Sequence, residues 1–174
     1  MARLPYADIE GAAVAPVVEQ IVAQRGSVLH LYQMLLHSPP LAQGWLAFLT
    51  AIRQKSSLPG DIRELVIMRV AILNGAPYEA EQHAPIALAE GVTQDQLHEL
   101  PEWQASWVYS ATQRAVLALT DAMTRDVHVA PAVFEEARAH FDGRAMVDLV
   151  ATVAAYNMVS RFLEALEIHS TDQR

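Results

Sequence analysis

The sequence predicts an all-α protein, and three observations support this prediction. The 174-residue chain contains 29 alanines against 7 glycines, a balance that favours helices over sheets. Valine and isoleucine recur at helical spacing and lack the strict alternation of a half-buried strand. Residues that cap helices occur at regular intervals, and no segment combines strand alternation with hairpin turn residues. We therefore expect a helical bundle.

The helix boundaries follow from residues that start and stop helices. Gly26 is typical of a C-terminal stop, and Ser38 followed by two prolines is typical of a helix start. The segment 56–60 is the clearest loop, and Asn74-Gly75 closes the helix that follows it. The predicted helices cover residues 14–24, 28–36, 41–54, 61–73, 77–90, 111–125, 132–141 and 144–168, with a short turn before residue 101.

Composition narrows the class of protein and of partner. The length suits one domain, which we take as residues 1–174. Twelve basic against 20 acidic residues give a net charge of −8, which disfavours binding to nucleic acids or to anionic membranes. The chain has no cysteine, so disulfides, thiolate metal sites and thiol redox chemistry are excluded. No segment resembles a targeting signal or a membrane span of about 20 residues, and we expect a cytoplasmic protein.

The helix 61–73 is apolar on nearly every side, so it should lie at the centre of the bundle. Its polar residues must then be exposed, paired or functional. If Glu64 faces the core, desolvation should raise its pKa and suit it to general acid or base chemistry. The alternative is an ion pair between Glu64 and an arginine.

The next helix carries Glu79 and His83 four residues apart, on one face. Glu79 lies in the first turn, where the helix dipole favours an ionised carboxylate and should lower its pKa if that face is wet. The alternative is a solvated surface pair. Pro85 removes a backbone donor inside this helix and should bend it. Because the turn at 74–75 is short, we expect Glu64 and His83 to meet across adjacent helices, with Glu64 the more buried.

No motif indicates a metal or an organic cofactor. His83 with Glu79 and Glu64 are residue types that bind zinc or iron, but no H-x-x-x-H spacing supports such a site. The chain also lacks a phosphate-binding glycine loop, a G-x-S-x-G motif and a dinucleotide fingerprint. We therefore predict no metal and no cofactor.

Several segments together resemble the carboxymuconolactone decarboxylase family, within the alkylhydroperoxidase-D-like superfamily. They are Leu58-Pro59-Gly60-Asp61-Ile62-Arg63-Glu64-Leu65-Val66-Ile67, Asn74-Gly75-Ala76-Pro77-Tyr78-Glu79, Gln82-His83, Ala89-Glu90-Gly91-Val92, the segment 115–126, and Tyr156-Asn157-Met158-Val159-Ser160-Arg161-Phe162-Leu163. The resemblance covers about residues 40–168, so the helices at 14–36 form an extension. It implies an alkylhydroperoxidase-D-like helical bundle that assembles into trimers or hexamers.

The resemblance also implies where the family's catalytic residues fall. Its peroxidase branch has a Glu followed by C-x-x-C-x-x-x-H, and these positions fall on Glu64, Ala76, Glu79 and His83. The glutamate and the histidine are kept and both thiols are missing, so this route to peroxide reduction is closed. An ionised Glu79 would use the helix N-terminus that favours a thiolate. The decarboxylase branch, which acts in aromatic compound catabolism, needs neither a thiol nor a cofactor.

We therefore interpret the chain as an acid–base enzyme acting on a small lactone, keto acid or carboxylate, with decarboxylation as the leading reaction. His83 is the candidate general acid or base, Glu64 its relay and Glu79 its orienting residue. Candidates for substrate binding are Tyr78, Asn157 and an arginine, which is one of Arg63, Arg69 and Arg161.

The alternative interpretation is a non-catalytic oligomeric binding or scaffold protein that retains the fold without the cysteines. In both interpretations the expected partners are a small molecule and further copies of the chain. Trp103 and Trp107 lie in a segment too short to bury both, so we expect a neighbouring subunit to cover them.

Overall fold

In the computed structural model, which describes residues 1–173, every regular element is helical and none of these residues forms a strand. The predicted all-α class is thus confirmed. The elements are α1 (Ala15–Arg25), α2 (His30–Leu35), α3 (Pro39–Gln54), α4 (Gly60–Leu73), α5 (Pro77–Ala89), α6 (Gln94–Glu99), a 3₁₀ segment (Leu100–Ala105), α7 (Ala111–Arg125), α8 (Pro131–Arg138) and α9 (Gly143–Leu166).

Two helix starts have the side-chain caps that their sequences favour. The Thr93 hydroxyl accepts a hydrogen bond from the Gln96 backbone N–H, and the Gln96 side chain accepts one from the Thr93 N–H in return. Ser110 and Gln113 repeat this reciprocal arrangement at the start of α7. Such capping boxes satisfy donors that the first turn of a helix leaves unpaired, and so define where the helix begins.

Backbone contacts divide the chain into two units, one of which comprises Met1–Lys55 and Leu163–Arg174. Within it α3 contacts both α1 and α2. The N-terminal segment is held by polar contacts, since the Arg3 guanidinium donates to the Ala165 carbonyl and to the Glu167 carboxylate. The Tyr6 hydroxyl donates to Asp172 at 2.7 Å. The predicted extension at 14–36 lies in this unit.

The second unit, Ser56–Phe162, is organised around α4. This helix contacts α5 and α7, and its residues from Ile62 to Ala71 are all buried. The prediction that the helix 61–73 is central is confirmed. The core beside it contains Leu65, Met68, Ala87, Val92, Leu100, Trp103, Tyr109 and Leu117.

Trp103 belongs to this core, so the expectation that a neighbouring subunit covers it was wrong. Its ring packs among side chains of the 3₁₀ segment and neighbouring helices, and the Arg114 guanidinium lies 5.3 Å from the ring centroid. Trp107, four residues later, is 97% exposed. The two tryptophans therefore have different environments.

The last helix, α9, is long and apolar enough to cross a membrane by length and composition alone. In the structure, 56% of its most apolar window is buried inside the protein. Burial of this kind is typical of a core helix, and α9 places Tyr156 and Asn157 in the interior.

Candidate active site

A buried hydrogen bond joins Glu64 of α4 to His83 of α5. The His83 Nδ1 atom lies 2.7 Å from the Glu64 Oε2 atom, and Glu64 has no exposed surface. The two helices are adjacent because Gly75, with a φ of +62°, reverses the chain between them in a conformation that favours glycine. The predicted contact between Glu64 and His83, with Glu64 the more buried, is confirmed.

The second oxygen of Glu64 is also paired. The Arg63 Nε donates to Oε1 at 3.1 Å. Burial alone would raise the pKa of Glu64, but the hydrogen bond and charge of His83, together with Arg63, outweigh it and leave that pKa below its usual value. The expectation of a raised pKa was wrong, because this carboxylate is paired on both oxygens.

Arg63 extends the polar chain towards the surface. Its Nη2 lies 3.1 Å from the Glu90 Oε1, and the Glu90 side chain is 43% exposed. Glu90 reaches this position by lying against Gly60, where a Cβ atom would stand 1.7 Å from the Glu90 Oε2. Gly60 is therefore required for the contact, and sequence reasoning had not included Glu90 in the site.

Tyr156 of α9 lies beside the other nitrogen of the imidazole. Its hydroxyl is 3.3 Å from the His83 Nε2, and the two rings meet edge to face with centroids 5.1 Å apart. A polar chain thus runs from Glu90 through Arg63, Glu64 and His83 to Tyr156. Sequence reasoning missed Tyr156 as a site residue because 73 positions separate it from His83. The only sequence feature that pointed to Tyr156 was its place in the segment 156–163, which resembles the family.

Glu79 is buried, whereas the sequence predicted an ionised carboxylate if its helix face is wet. It is 2% exposed, and its Oε2 has no hydrogen-bond partner among residues 1–173. Burial raises the pKa of Glu79 well above its usual value. Loss of water on burial outweighs the helix dipole at Glu79, since no cation within residues 1–173 offsets it. Its expected role in orienting His83 stays a prediction.

Arg69, a predicted substrate ligand, is placed in a structural ion pair instead. Its Nε and Nη2 donate to the two carboxylate oxygens of Asp121 at 2.6 and 2.7 Å. Its Nη1 donates to the carbonyls of Leu100 and Pro101. The guanidinium is 1% exposed and has protein partners on all three nitrogens, so we do not retain Arg69 as a substrate-binding residue.

Asn157 likewise has protein partners, on its own helix and on others. Its amide nitrogen donates to Thr124 of α7, and its oxygen accepts from Asn74 at 3.0 Å and from Arg161 at 2.6 Å. Tyr78 is buried at the start of α5, one residue before Glu79. A substrate-binding role for either Asn157 or Tyr78 stays a prediction.

Two cavities are prominent, and neither is lined by the polar chain. One, of about 1110 Å³, lies in the first unit beneath the N-terminal segment. The other, of about 520 Å³, is a groove between α8 and α9 in the second unit. Among residues 1–173, no group of three or more His, Cys, Asp or Glu side chains is placed to hold a metal ion.

A match to a family model supports the family assignment beyond the resemblance of short segments. Residues 39–122, which contain the Glu64–His83 pair, match the model of the carboxymuconolactone decarboxylase family. This segment belongs to the carboxymuconolactone decarboxylase family. The matched segment contains Glu64 and His83 and no cysteine.

Relatives of known sequence and structure agree with this assignment. The chain is 28% identical to the uncharacterized protein YdfG of Bacillus subtilis over 115 residues, which is 65% of this chain and 78% of that protein. It superposes with a TM-score of 0.83 on an alkylhydroperoxidase AhpD core protein of Ralstonia eutropha JMP134, at 19% identity over 98% of this chain and 93% of the other.

A third relative is the debrominase Bmp8, solved in complex with 2,3,4-tribromopyrrole. It has a TM-score of 0.80 and 19% identity over 96% of this chain and 92% of the other. At these identities the two structures establish the fold, which is that of the alkylhydroperoxidase-D-like bundle.

Proposed function

We propose that this carboxymuconolactone decarboxylase family member is a cofactor-independent enzyme that transfers protons on a small lactone, keto acid or carboxylate, with decarboxylation as the leading reaction. The observation that carries the proposal is the 2.7 Å hydrogen bond between the buried Glu64 carboxylate and His83. A buried carboxylate that orients an imidazole is a recurrent device for general acid–base catalysis.

Glu64 determines which imidazole nitrogen is available for chemistry. An ionised carboxylate only accepts hydrogen bonds, so Nδ1 of His83 carries a proton and donates it to Glu64. The Nε2 atom then accepts a proton when the ring is neutral and donates one when the ring is charged. Arg63 holds the second oxygen of Glu64 and keeps the carboxylate ionised. Glu64 and Arg63 act here as positioning residues.

In a decarboxylation, the bond between the substrate carbon and its carboxylate breaks and CO₂ leaves. The electron pair stays on the substrate as an enolate conjugated with a carbonyl. A proton from the His83 Nε2 then neutralises that carbon, and the imidazole regains a proton from water. We assign Tyr156, whose hydroxyl lies 3.3 Å from Nε2, a hydrogen bond to the same substrate atoms.

Glu79 is assigned a role in tolerating an anionic substrate. Burial raises the pKa of Glu79 and so favours its protonated form, in which the carboxyl does not repel a substrate carboxylate. It lies one helical turn before His83, so both side chains share a face of α5. We assign Glu79 the role of a hydrogen-bond donor and a second proton source at the site.

The structural relatives are compatible with a small ring-shaped substrate, since the debrominase Bmp8 was solved with a tribrominated pyrrole. Thiol-dependent peroxide reduction is not proposed, because the chain has no cysteine. We further propose a cytoplasmic homo-oligomer, either a trimer or a hexamer, that acts on a small molecule without nucleic acid or membrane partners.

The experiment that tests the proposal measures CO₂ release from γ-carboxymuconolactone and from a panel of β-keto acids. We expect turnover by the native protein and its loss in His83→Ala, with unchanged helical circular dichroism. His128→Ala, which alters an exposed histidine, is the matched control. Full turnover in His83→Ala would contradict the assignment of His83.

One observation favours the alternative of a non-catalytic binding or scaffold protein: neither prominent cavity is lined by His83 or Glu64. In that case no panel compound would be turned over, and Glu64→Gln would change thermal stability alone. Ligand-dependent stabilisation that is retained in His83→Ala would also favour this alternative.

A further inference from the structure

The positive charges of the second unit, Ser56–Phe162, limit the anions that its buried polar chain can bind. Carboxylates are usually held in proteins by arginine or lysine side chains. Residues 56–162 contain no lysine and seven arginines, which are Arg63, Arg69, Arg114, Arg125, Arg138, Arg144 and Arg161. The contacts of these seven guanidiniums therefore decide how much positive charge a substrate meets.

Arg63, which touches Glu64, is already neutralised by two carboxylates. Its Nε donates to the Glu64 Oε1 at 3.1 Å, and its Nη2 lies 3.1 Å from the Glu90 Oε1. Arg69 is 1% exposed and spans both oxygens of Asp121. A guanidinium that is held by carboxylates in this way offers little charge to a further anion.

The other five arginines are held by contacts of their own. Three have an acidic side chain beside them: Arg125 with Asp121, Arg138 with Glu135, and Arg144 with Asp148. Arg114 donates to three carbonyl groups of the segment 103–106 and lies over the Trp103 ring. Arg161 donates to the backbone and side-chain oxygens of Asn157. It follows Tyr156 by five residues, which places the two side chains about 140° apart around α9.

The polar chain itself carries no excess of positive charge. Glu90 and Glu64 contribute two carboxylates and Arg63 one guanidinium, so their sum is one negative charge when both carboxylates are ionised. The hydrogen bonds and charges of His83 and Arg63 lower the pKa of Glu64 and favour that state. Protonation of His83 raises the sum to zero. The imidazolium is therefore the one cation that these four residues leave for a substrate carboxylate.

We propose that the site selects substrates with a single carboxylate, namely the one that leaves as CO₂, on an otherwise uncharged keto acid or lactone. This inference rests on the proposed function and narrows its substrate class. One imidazolium matches one carboxylate, whereas a second carboxylate would stand unpaired near Glu64 and be repelled by it. Among the compounds of the proposed function, β-keto acids with one carboxylate should therefore be preferred to γ-carboxymuconolactone, which has two.

Binding of two compounds that do not decarboxylate tests the inference without turnover. 4-Oxoheptanedioate carries two carboxylates, and its monomethyl ester carries one on the same skeleton. Titration calorimetry should give a Kd about tenfold or more lower for the ester. NMR should show a shifted His83 imidazole resonance when the ester binds, and His83→Ala should abolish that binding. A dianion that binds as tightly as the ester, or an ester that does not bind at all, would overturn the inference.

Glu90→Gln separates the charge of the site from the charge of the whole protein. The variant removes one carboxylate from Arg63 and keeps the size of a partly exposed side chain. It should reduce the ratio of the two Kd values by about threefold, since the dianion loses more repulsion than the ester does. Glu136→Gln removes the same charge at an exposed position of α8 and should leave the ratio unchanged. An equal change in both variants would assign the preference to the net charge of −8 and overturn the inference.

Turnover of a second matched pair distinguishes this inference from the proposed function. 3-Oxoadipate and its 6-methyl ester are both β-keto acids and differ only in the remote charge. We expect faster CO₂ release from the ester, after subtraction of the rate without protein. Equal rates would overturn the inference and leave the proposed function standing. No turnover of either compound, together with tighter binding of the monomethyl ester of 4-oxoheptanedioate, would refute the proposed function and leave the selection by charge standing.

Discussion

The Glu64 carboxylate and the His83 imidazole lie 2.7 Å apart although 19 residues separate them in the chain. Two helices and one short turn bring them together, and Arg63 and Tyr156 complete the hydrogen bonding at either end. The pair is buried, so its hydrogen bond is not weakened by competing water. Changes to either partner should therefore have large and specific effects.

Replacing Glu64 by glutamine should reverse the imidazole tautomer. Arg63 only donates hydrogen bonds, so the amide oxygen must face Arg63 and the amide NH₂ must face the His83 Nδ1. Nδ1 then becomes the acceptor and the proton moves to Nε2. Nitrogen-15 NMR of the imidazole should report this change, and any proton-transfer turnover should fall by about 10²–10⁴-fold. Glu136→Gln, at an exposed position, should change neither. An unchanged tautomer would contradict the hydrogen-bond assignment.

The buried Glu79 should make the protein less stable as pH rises. Its folded pKa is raised, so above the unfolded pKa near 4.5 the unfolded state loses its proton first and gains stability relative to the folded state. The free energy of unfolding should fall through this range by up to about 1.4 kcal/mol per pH unit, until the folded pKa is passed.

Glu79→Gln should remove this pH dependence, since glutamine does not titrate. Urea unfolding at several pH values would measure the difference between the variant and the native protein. That difference should be small at pH 4 and should grow towards neutral pH. Glu81→Gln alters an exposed residue of the same helix and serves as the control. A constant difference across this range would show that Glu79 is not buried in its protonated form.

Gly60→Ala should displace Glu90 from Arg63. An added methyl group would stand 1.7 Å from the Glu90 Oε2, and the exposed, flexible side chain can move away. Because this ion pair is partly exposed, we expect a loss of no more than about 1 kcal/mol in the free energy of unfolding. In a Glu90→Ala background the same substitution should cost less. Equal costs in both backgrounds, measured by urea unfolding, would argue against the contact.

Arg69→Met should lower the free energy of unfolding. It removes the buried guanidinium that binds both Asp121 oxygens and leaves only the exposed Arg125, 3.7 Å from that carboxylate, which typically costs about 3–5 kcal/mol. The double variant Arg69→Met with Asp121→Leu should recover part of this loss, as measured by chemical unfolding. Arg138→Met breaks an exposed pair with Glu135 and should cost at most about 1 kcal/mol. A comparably small loss in Arg69→Met would contradict a structural role for Arg69.

Local residue patterns predicted the helices well because caps and apolar spacing act within one or two turns. The turn at Asn74-Gly75 and the all-round apolar character of α4 were enough to predict that Glu64 and His83 meet. The same local logic did not predict the ion pair of Arg69, since its partner Asp121 lies 52 residues away on another helix. It was also wrong about Trp103, whose burial depends on packing against α4 and α5 side chains.

The sequence by itself determined the helical class and the absence of thiol chemistry, and it predicted the pairing of Glu64 with His83, because each depends on composition or on neighbouring segments. Only the tertiary structure decided the directions in which the two carboxylate pKa values shift. The pKa of Glu64 is lowered because Arg63 and His83 both reach it, whereas burial raises the pKa of Glu79 and no cation within residues 1–173 offsets that effect. A carboxylate's pKa depends on its burial and on the charges that surround it in space. Those surroundings are assembled from helices far apart in the chain, as Tyr156 and His83 demonstrate.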